Sequence, residues 1–172
     1  PFCAQGSGMG TPPASVGFGC VEVRGTGTTA VGPGLEWTLR RSYPLLGQSL
    51  YERRTLDLLA AVSAVRQWGQ TGPIYLYGAG PEAAVALYAA LLDEAVAGVV
   101  LESPVATHWS GGPEFPGVLR VGDLPYTAAL LCPRPLAVIG ALPPSWSYTE
   151  AAYSAQGAGV TRLATLAEWA PR

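Results

Sequence analysis

Short apolar runs without polar alternation mark the centre of this chain. They are residues 74–77, 96–101 and 136–139, and such runs are typical of strands that are covered on both faces. The clearest helical pattern is residues 49–68, in which apolar positions recur with helical spacing. Ser49 and Glu52 have the spacing of a capping box at its start.

The remaining segments extend this alternation of strands and helices. We predict further strands at residues 18–23 and 162–166, further helices at residues 81–92, 124–131 and 149–155, a loop or arm at residues 1–17, and irregular segments at residues 28–47 and 102–122. Apolar strands that alternate with helices indicate a parallel sheet between two helical layers. The prediction is therefore one domain over residues 1–172, a three-layer α/β/α sandwich with a mostly parallel sheet.

In such sheets, ligands bind beyond the carboxyl ends of the strands. The turns that follow three predicted strands occupy this position, at residues 24–29, 78–82 and 102–109. We therefore expect the functional side chains to lie in these three turns.

Composition removes several classes of function. Of the 172 residues, 49% are hydrophobic and only 13% are charged, which excludes a disordered chain. The net charge of −2 offers no basic face for nucleic acid, and no apolar run is long enough to span a membrane. All ten basic residues are Arg, so neither a Schiff-base nor a P-loop lysine exists here.

The three cysteines are odd in number and form no C-x-x-C pair, which argues against a disulfide framework or a zinc site. Cys20 and Cys132 border apolar runs and are expected to be buried thiols. We expect no metal and no cofactor. The low charge content and an open sheet edge favour a homo-oligomer. The chain begins at Pro1 with no visible signal peptide, and a cytoplasmic location is the default expectation.

Four segments together resemble a known family. The sequence reads EVRGTGTT at 22–29, LYGAGPE at 76–82, VVLESP at 99–104 and AALLCPRPLAVIG at 128–140. In this order they resemble the α/β-hydrolase superfamily, especially its acetyl-xylan-esterase-like and prolyl-oligopeptidase-like branch. In that family an R-G-x-G turn follows the fourth strand, a nucleophile elbow follows the fifth, and a P-R-P-L phrase leads into the seventh. The resemblance covers residues 18–142 and implies a partial α/β-hydrolase fold and carboxylic-ester chemistry.

The residues that this chemistry requires are missing. The family's elbow is G-x-S-x-G, and here it reads Gly78-Ala79-Gly80-Pro81-Glu82, with no side chain at the nucleophile position. No Asp follows the 136–139 run, where Glu150 is the nearest acid, and no His follows His108. The resemblance therefore implies a member without conventional serine-hydrolase activity. Its former cleft, formed by the elbow with Arg24 and Glu102, either binds a small molecule or serves structure only.

Two other hypotheses about the function stay open. Gly78, Gly80 and Ala83 match G-x-G-x-x-A between a strand and a helix, with Glu102 where a ribose-binding acid would lie, which is typical of dinucleotide binding. A second match, at residues 25–30, is discounted because residues 32–34, Gly-Pro-Gly, are expected to prevent a helix there.

The other reading is ester hydrolysis by displaced residues. Ser103 would be the nucleophile and His108 the base, with Asp123 or Glu102 orienting the imidazole. A weaker form has Glu82 or Glu102 activate a water. Trp109 and Trp146, in loops near these turns, are expected to form a packing lid, with stacking on a sugar or an aromatic ligand as the alternative.

Overall fold

The computed structural model describes residues 11–14, 16–110 and 112–170, and the backbone of residues 2–4. Its strands are β1 (Phe2–Ala4), β2 (Gly19–Val21), β3 (Ile74–Ala79), β4 (Val96–Glu102), β5 (Leu136–Ile139) and β6 (Thr161–Leu163). Its α-helices are α1 (Pro33–Ser42), α2 (Leu50–Gln67), α3 (Glu82–Leu92), α4 (Leu124–Ala129) and α5 (Ser147–Ala155). Short 3₁₀ helices lie at Gly27–Thr29, Tyr43–Leu46, Val118–Arg120, Pro144–Trp146 and Leu166–Glu168.

The six strands form one sheet in the order β2-β1-β3-β4-β5-β6, and every neighbouring pair is parallel. β3 lies inside the sheet, between β1 and β4. The parallel sheet is flanked by helices, as the apolar strands predict, and the architecture is that of an α/β three-layer sandwich. Because all strands run the same way, the turns after β2, β3, β4 and β5 meet at one edge of the sheet.

The two faces of the sheet are buried by different material. On one face, Leu76, Val99 and Leu136 belong to a core with residues from four helices, which include Leu58, Val85, Leu124 and Tyr153. On the other face, Tyr75, Tyr77, Val100, Ala137 and Ile139 pack with Leu166 and Trp169 from the turn after β6, and with Phe18. The turn after β6 therefore takes the place of a helix over that part of the sheet.

The capping box of α2 is confirmed. Ser49 Oγ accepts the Glu52 N–H at 3.1 Å, and the Glu52 carboxylate accepts the Ser49 N–H at 2.6 Å.

The prediction of irregular chain from 28 to 47 was wrong, because α1 begins at Pro33 with Gly32 as its N-cap. Proline fits the first helical turn, since its missing N–H would have no helical partner there. Gly-Pro-Gly at residues 32–34 therefore does not prevent a helix after the G-x-G-x-x-A match at residues 25–30.

Two further corrections concern the chain termini and the thiols. Residues 2–4 form a strand within the segment expected to be a loop or arm, because pairing with β2 and β3 supplies what a three-residue pattern cannot signal. Residues 5–10, which belong to the same expectation, lie outside the described residues. Cys20 is exposed and Cys132 half-buried, so neither is the buried thiol expected. Cys20 lies on β2, which is at the edge of the described sheet.

Candidate functional site

The turn between β3 and α3 lies at the centre of the carboxyl edge. β3 ends at Ala79, and Gly80 takes a left-handed φ of +55° before α3 begins. A Cβ added at Gly80 would meet nothing within 4 Å, so only the backbone conformation disfavours a side chain there. At Gly78 a Cβ would lie 2.4 Å from the Glu82 carbonyl oxygen. Position 78 therefore requires glycine, because the first turn of α3 packs directly onto β3.

The amides of this turn are used within the chain. Gly80 N–H donates to the Glu102 carbonyl oxygen at 2.9 Å, and Ala83 N–H donates to the Gly80 carbonyl at 3.1 Å. Pro81, the N-cap of α3, has no N–H. A phosphate at this helix end would need amides that face outward, and the carboxylate of Glu82 stands in the first turn. Nothing in this geometry favours the dinucleotide reading, which stays a prediction.

Glu82 is the acidic half of a buried ion pair. Arg54, on α2, is 4% exposed, and its Nη1 lies 2.8 Å from Glu82 Oε1. Arg54 Nε also donates to the Arg24 carbonyl oxygen at 3.1 Å. Burial raises the pKa of the Glu82 carboxyl above its ordinary value, and the Arg54 charge offsets part of that rise. Arg54 thereby joins the β3–α3 turn to the turn after β2.

Arg24 belongs to the same junction through a second pair. Its Nε donates to Asp57 Oδ2 at 2.8 Å, its Nη2 contacts Asp57 Oδ1 at 2.5 Å, and its backbone N–H donates to Asp57 Oδ2 at 3.0 Å. Burial acts to raise the pKa of Asp57, but the hydrogen bonds from Arg24 outweigh it and the pKa lies below its ordinary value. Arg24 thus ties its turn to α2, which is the structural role that a guanidinium fork suits.

Ser103 and Glu102 lie at the end of β4, next to the β3–α3 turn. Ser103 has a φ of +44°, the one positive φ of a non-glycine residue in the described part of the chain. Its side chain is exposed, and its N–H donates to the Ile139 carbonyl oxygen at 2.9 Å. The Glu102 carboxylate accepts a hydrogen bond from the Tyr77 hydroxyl. The predicted position of both residues at the sheet edge is confirmed.

His108 is engaged elsewhere. In the tautomer in which Nδ1–H donates to the Pro113 carbonyl oxygen at 2.7 Å, Nε2 accepts a hydrogen bond from the Tyr88 hydroxyl at 2.9 Å. Both ring nitrogens therefore have partners. The ring also packs edge-on against Phe115. Burial lowers the pKa of His108, although the Pro113 carbonyl and Asp123 act in the opposite direction. Because both nitrogens are occupied, the imidazole is not positioned as a base for Ser103.

Asp123 acts on backbone rather than on the imidazole ring. Its Oδ1 accepts the N–H groups of His108 and Leu124, each at 2.7 Å, and its Oδ2 accepts the Thr107 hydroxyl. Burial acts to raise the pKa of Asp123, but these hydrogen bonds outweigh it and the pKa lies below its ordinary value. Asp123 caps α4 and fixes the loop at 107–108. The structure therefore does not assemble Ser103, His108 and Asp123 into a triad.

The remaining candidates are also separated from the elbow chemistry. Trp146 is 1% exposed and its Nε1 donates to the Ala106 carbonyl oxygen at 3.3 Å, so the alternative in which it stacks on a ligand is wrong for this residue. Trp109 is 83% exposed. Glu150, the acid nearest after β5, forms an exposed pair with Arg162 at 2.6 Å. The expected packing role therefore holds for Trp146 but is wrong for Trp109, whose side chain lies on the surface.

The sequence analysis did not predict the role of Arg54, because no motif indicates its bonds to Glu82 and to the Arg24 carbonyl. The available signal was a basic residue on the side of α2 that faces inward.

Within the described ranges, no group of three or more His, Cys, Asp or Glu side chains is arranged to hold a metal ion. The helices in those ranges are all too short or too polar to cross a bilayer. Comparisons with family models, with curated proteins and with solved structures found no match.

Proposed function

We propose that this chain is a non-catalytic relative of the α/β hydrolases, in which the carboxyl-edge turns form a structural junction beside a cleft that binds a small molecule without cleaving it. The observation that carries the proposal is the β3–α3 turn. It has a left-handed residue with open space above it at Gly80 and an obligatory glycine at Gly78. These are the steric properties that a nucleophile elbow needs, in a turn that presents no nucleophile.

The order of strands and motifs supports the kinship. The R-G-x-G turn follows β2, the elbow sequence follows β3, and the P-R-P-L phrase precedes β5, with one strand between the last two. If β2 is the family's fourth strand, then β3 and β5 are its fifth and seventh, as the resemblance requires. β3 is also interior, which an elbow strand at the centre of the sheet requires.

Catalysis is removed at more than one position. Gly80 has no side chain to attack a carbonyl carbon. The amide of the residue after the nucleophile normally stabilises the oxyanion, and Pro81 has no such amide. Glu82, where the family has a small residue, is bound to Arg54. The turn therefore joins α2 and α3 instead of receiving an acyl group.

The test combines activity and binding. The protein is treated with a fluorophosphonate probe and with phenyl acetate, and the amide of Gly80 is followed by NMR during the phenyl acetate titration. We expect no labelling, no turnover above buffer, and a saturable shift of the Gly80 amide. Turnover by the wild type would overturn the absence of catalysis, and an unshifted Gly80 amide would overturn the binding role.

One observation favours a second candidate, in which Ser103 is a displaced nucleophile. A positive φ in a non-glycine residue costs about 1–3 kcal/mol and is found preferentially at functional sites, and Ser103 is exposed beside the elbow. Phenyl acetate hydrolysis that disappears in Ser103→Ala and persists in Ser145→Ala, which changes a serine of the 3₁₀ helix Pro144–Trp146, would establish this candidate. Loss of the same activity in His108→Gln would add the imidazole to it. The dinucleotide reading predicts a thermal shift with NAD and none with phenyl acetate.

A further inference from the structure

Two of the three cysteines occupy matching positions in neighbouring strands at one side of the sheet. β1 pairs in parallel with β2, and the register of this pair places Cys3 opposite Cys20. Neighbouring strands lie about 4.8 Å apart, and a disulfide joins residues whose Cα atoms are about 4.4–6.8 Å apart. The backbone therefore brings Cys3 and Cys20 within the separation that a disulfide spans.

The neighbouring residues place both cysteines on one face of the sheet. Residues in register across parallel strands share a face, and successive residues of a strand alternate between faces. Cys3 is in register with Tyr77 of β3, which belongs to the core on the face covered by the turn after β6. Val21 packs against the core on the opposite face, so Cys20, the residue before it, lies on the Tyr77 face. The register of β1 and the packing of β2 therefore give the same placement.

The pair is accessible to a small reagent and remote from the third cysteine. Cys20 is exposed, on a strand at the edge of the described sheet. Cys132 is half-buried and precedes β5, so that β3 and β4 lie between it and the pair. The odd number of cysteines therefore consists of one pair in register and one distant thiol, which serves as an internal control.

A bridge at this position would strengthen a short strand pairing. β1 lies between β2 and the rest of the described sheet. It is in register with β2 at three positions and with β3 at two, whereas β3 and β4 are in register at six. A disulfide closes the loop between β1 and β2 and restricts the unfolded chain, which favours the folded state. Because β2 leads into the turn of Arg24, the bridge would also secure one side of the junction with α2.

We propose that Cys3 and Cys20 form a reversible disulfide, which fastens β1 to β2 when the protein meets a small-molecule disulfide such as oxidised glutathione. The thiolate of one cysteine attacks a glutathione sulfur and releases one reduced glutathione. The second thiolate then attacks the protein sulfur of the mixed disulfide and releases the other. The two cysteines are oxidised, the glutathione disulfide is reduced, and the two cysteine protons go to the released thiols.

The position of the one methionine provides a direct assay for the bridge. Met9 lies between Cys3 and Cys20 in the sequence, and cyanogen bromide cleaves a chain after methionine. The folded protein is incubated with oxidised glutathione, its remaining thiols are labelled with N-ethylmaleimide after unfolding, and the chain is cleaved. Mass spectrometry then shows whether residues 1–9 and 10–172 are still joined, and which cysteine carries the label.

We expect the two fragments to stay joined in the oxidised wild type and in Cys132→Ser, and to separate when a phosphine reduces the disulfide. In Cys20→Ser they should separate without reduction. The label of the oxidised wild type should be on Cys132, which identifies the bridged pair even if a variant fails to fold. Separate fragments in oxidised Cys132→Ser, a label on Cys20, or a disulfide-linked dimer would overturn the proposal.

A second measurement tests whether the folded register, and not mere closeness in sequence, forms the bridge. In Cys132→Ser, the equilibrium constant for exchange with glutathione is measured in the folded protein and again in urea. We expect it to be about thirtyfold larger in the folded protein, which corresponds to the lower end of the stabilisation that disulfides provide. Equal constants in the two states would overturn the placement of the pair.

Discussion

Removal of Arg54 tests whether the buried ion pair holds the turns of the carboxyl edge together. Arg54→Met keeps much of the length of the side chain but deletes the contact with Glu82 Oε1 at 2.8 Å and the hydrogen bond to the Arg24 carbonyl. Because Arg54 is 4% exposed and the Glu82 side chain 17%, the carboxylate stays largely out of water without a partner. Breaking a buried pair on one side costs about 3–5 kcal/mol. We expect a loss near the lower limit, about 3 kcal/mol, since Glu82 keeps some contact with solvent.

Urea unfolding followed by far-UV circular dichroism measures this loss. Arg162→Met is the matched control, because it breaks a salt bridge whose side chains are 43% and 49% exposed. Exposed pairs contribute about 0–1 kcal/mol, so the control should stay within about 1 kcal/mol of wild type. The double variant Arg54→Met/Glu82→Leu removes both charges and should recover most of the stability. If Arg54→Met is no worse than Arg162→Met, the proposed junction is wrong.

The same variant predicts a pH dependence with a definite sign. Burial already raises the pKa of Glu82, and without Arg54 only the hydrogen bond from the residue's own backbone N–H offsets that rise. A carboxyl whose pKa is raised in the folded state binds more protons there than in the unfolded state, so stability falls as pH rises from the unfolded value toward the folded one. Arg54→Met should therefore lose stability between pH 4.5 and pH 7 relative to Arg54→Met/Glu82→Gln, in which residue 82 does not titrate. Parallel pH profiles of the two variants would contradict this mechanism.

Three further predictions use the same unfolding assay. Gly78→Ala should lose more unfolding free energy than Gly80→Ala, because a Cβ at position 78 meets the Glu82 backbone at 2.4 Å. A Cβ at position 80 adds only the cost of a left-handed φ of +55°, about 1–2 kcal/mol, and equal losses in the two variants would refute the packing argument. Burial lowers the pKa of His108, so the unfolded chain binds more protons than the folded one below pH 6.5, and wild type should lose stability as pH falls from 6.5 to 5. His108→Gln should lose less over that interval, and identical slopes of stability against pH would refute this linkage. Arg134→Leu should cost about 2–3 kcal/mol, since Nη1 donates to three carbonyls where α3 ends and β4 begins, and a loss below about 1 kcal/mol would refute that role.

The central strands and helices were predictable because their patterns are long and local. Residues 136–139 form a strand with the bounds that the apolar run predicts, and the helix predicted from 49 to 68 is Leu50–Gln67 with Ser49 as its cap. β1 was missed because three residues carry no readable period and the pairing comes from distant strands. α1 was missed because Gly32 and Pro33 were interpreted only as helix breakers, although Gly at the N-cap and Pro in the first turn start a helix.

The candidate site was predictable in place but not in connectivity. Gly78–Glu82, Glu102 and Ser103 lie at the carboxyl edge as the strand pattern predicts. The partners of His108 were not predictable, because Tyr88 lies 20 residues away and Pro113 contributes only a carbonyl. Arg54 was missed for the same reason, since its bonds to Glu82 and to Arg24 span about 30 residues of sequence. The indole Nε1 of Trp169 is buried without a hydrogen-bond partner among the described residues only in the folded chain, and no sequence pattern predicts that.

Pro81 sets a rule for anyone who would engineer hydrolysis into this turn. A serine introduced at Gly80 alone would have room for its hydroxyl, yet the alkoxide formed from an ester would face a ring nitrogen with no hydrogen to offer. Replacing Pro81 first would provide the missing donor without conferring any reactivity of its own. Neither exchange provides both the nucleophile and the donor, so no single substitution in this turn would supply the two groups that ester cleavage needs.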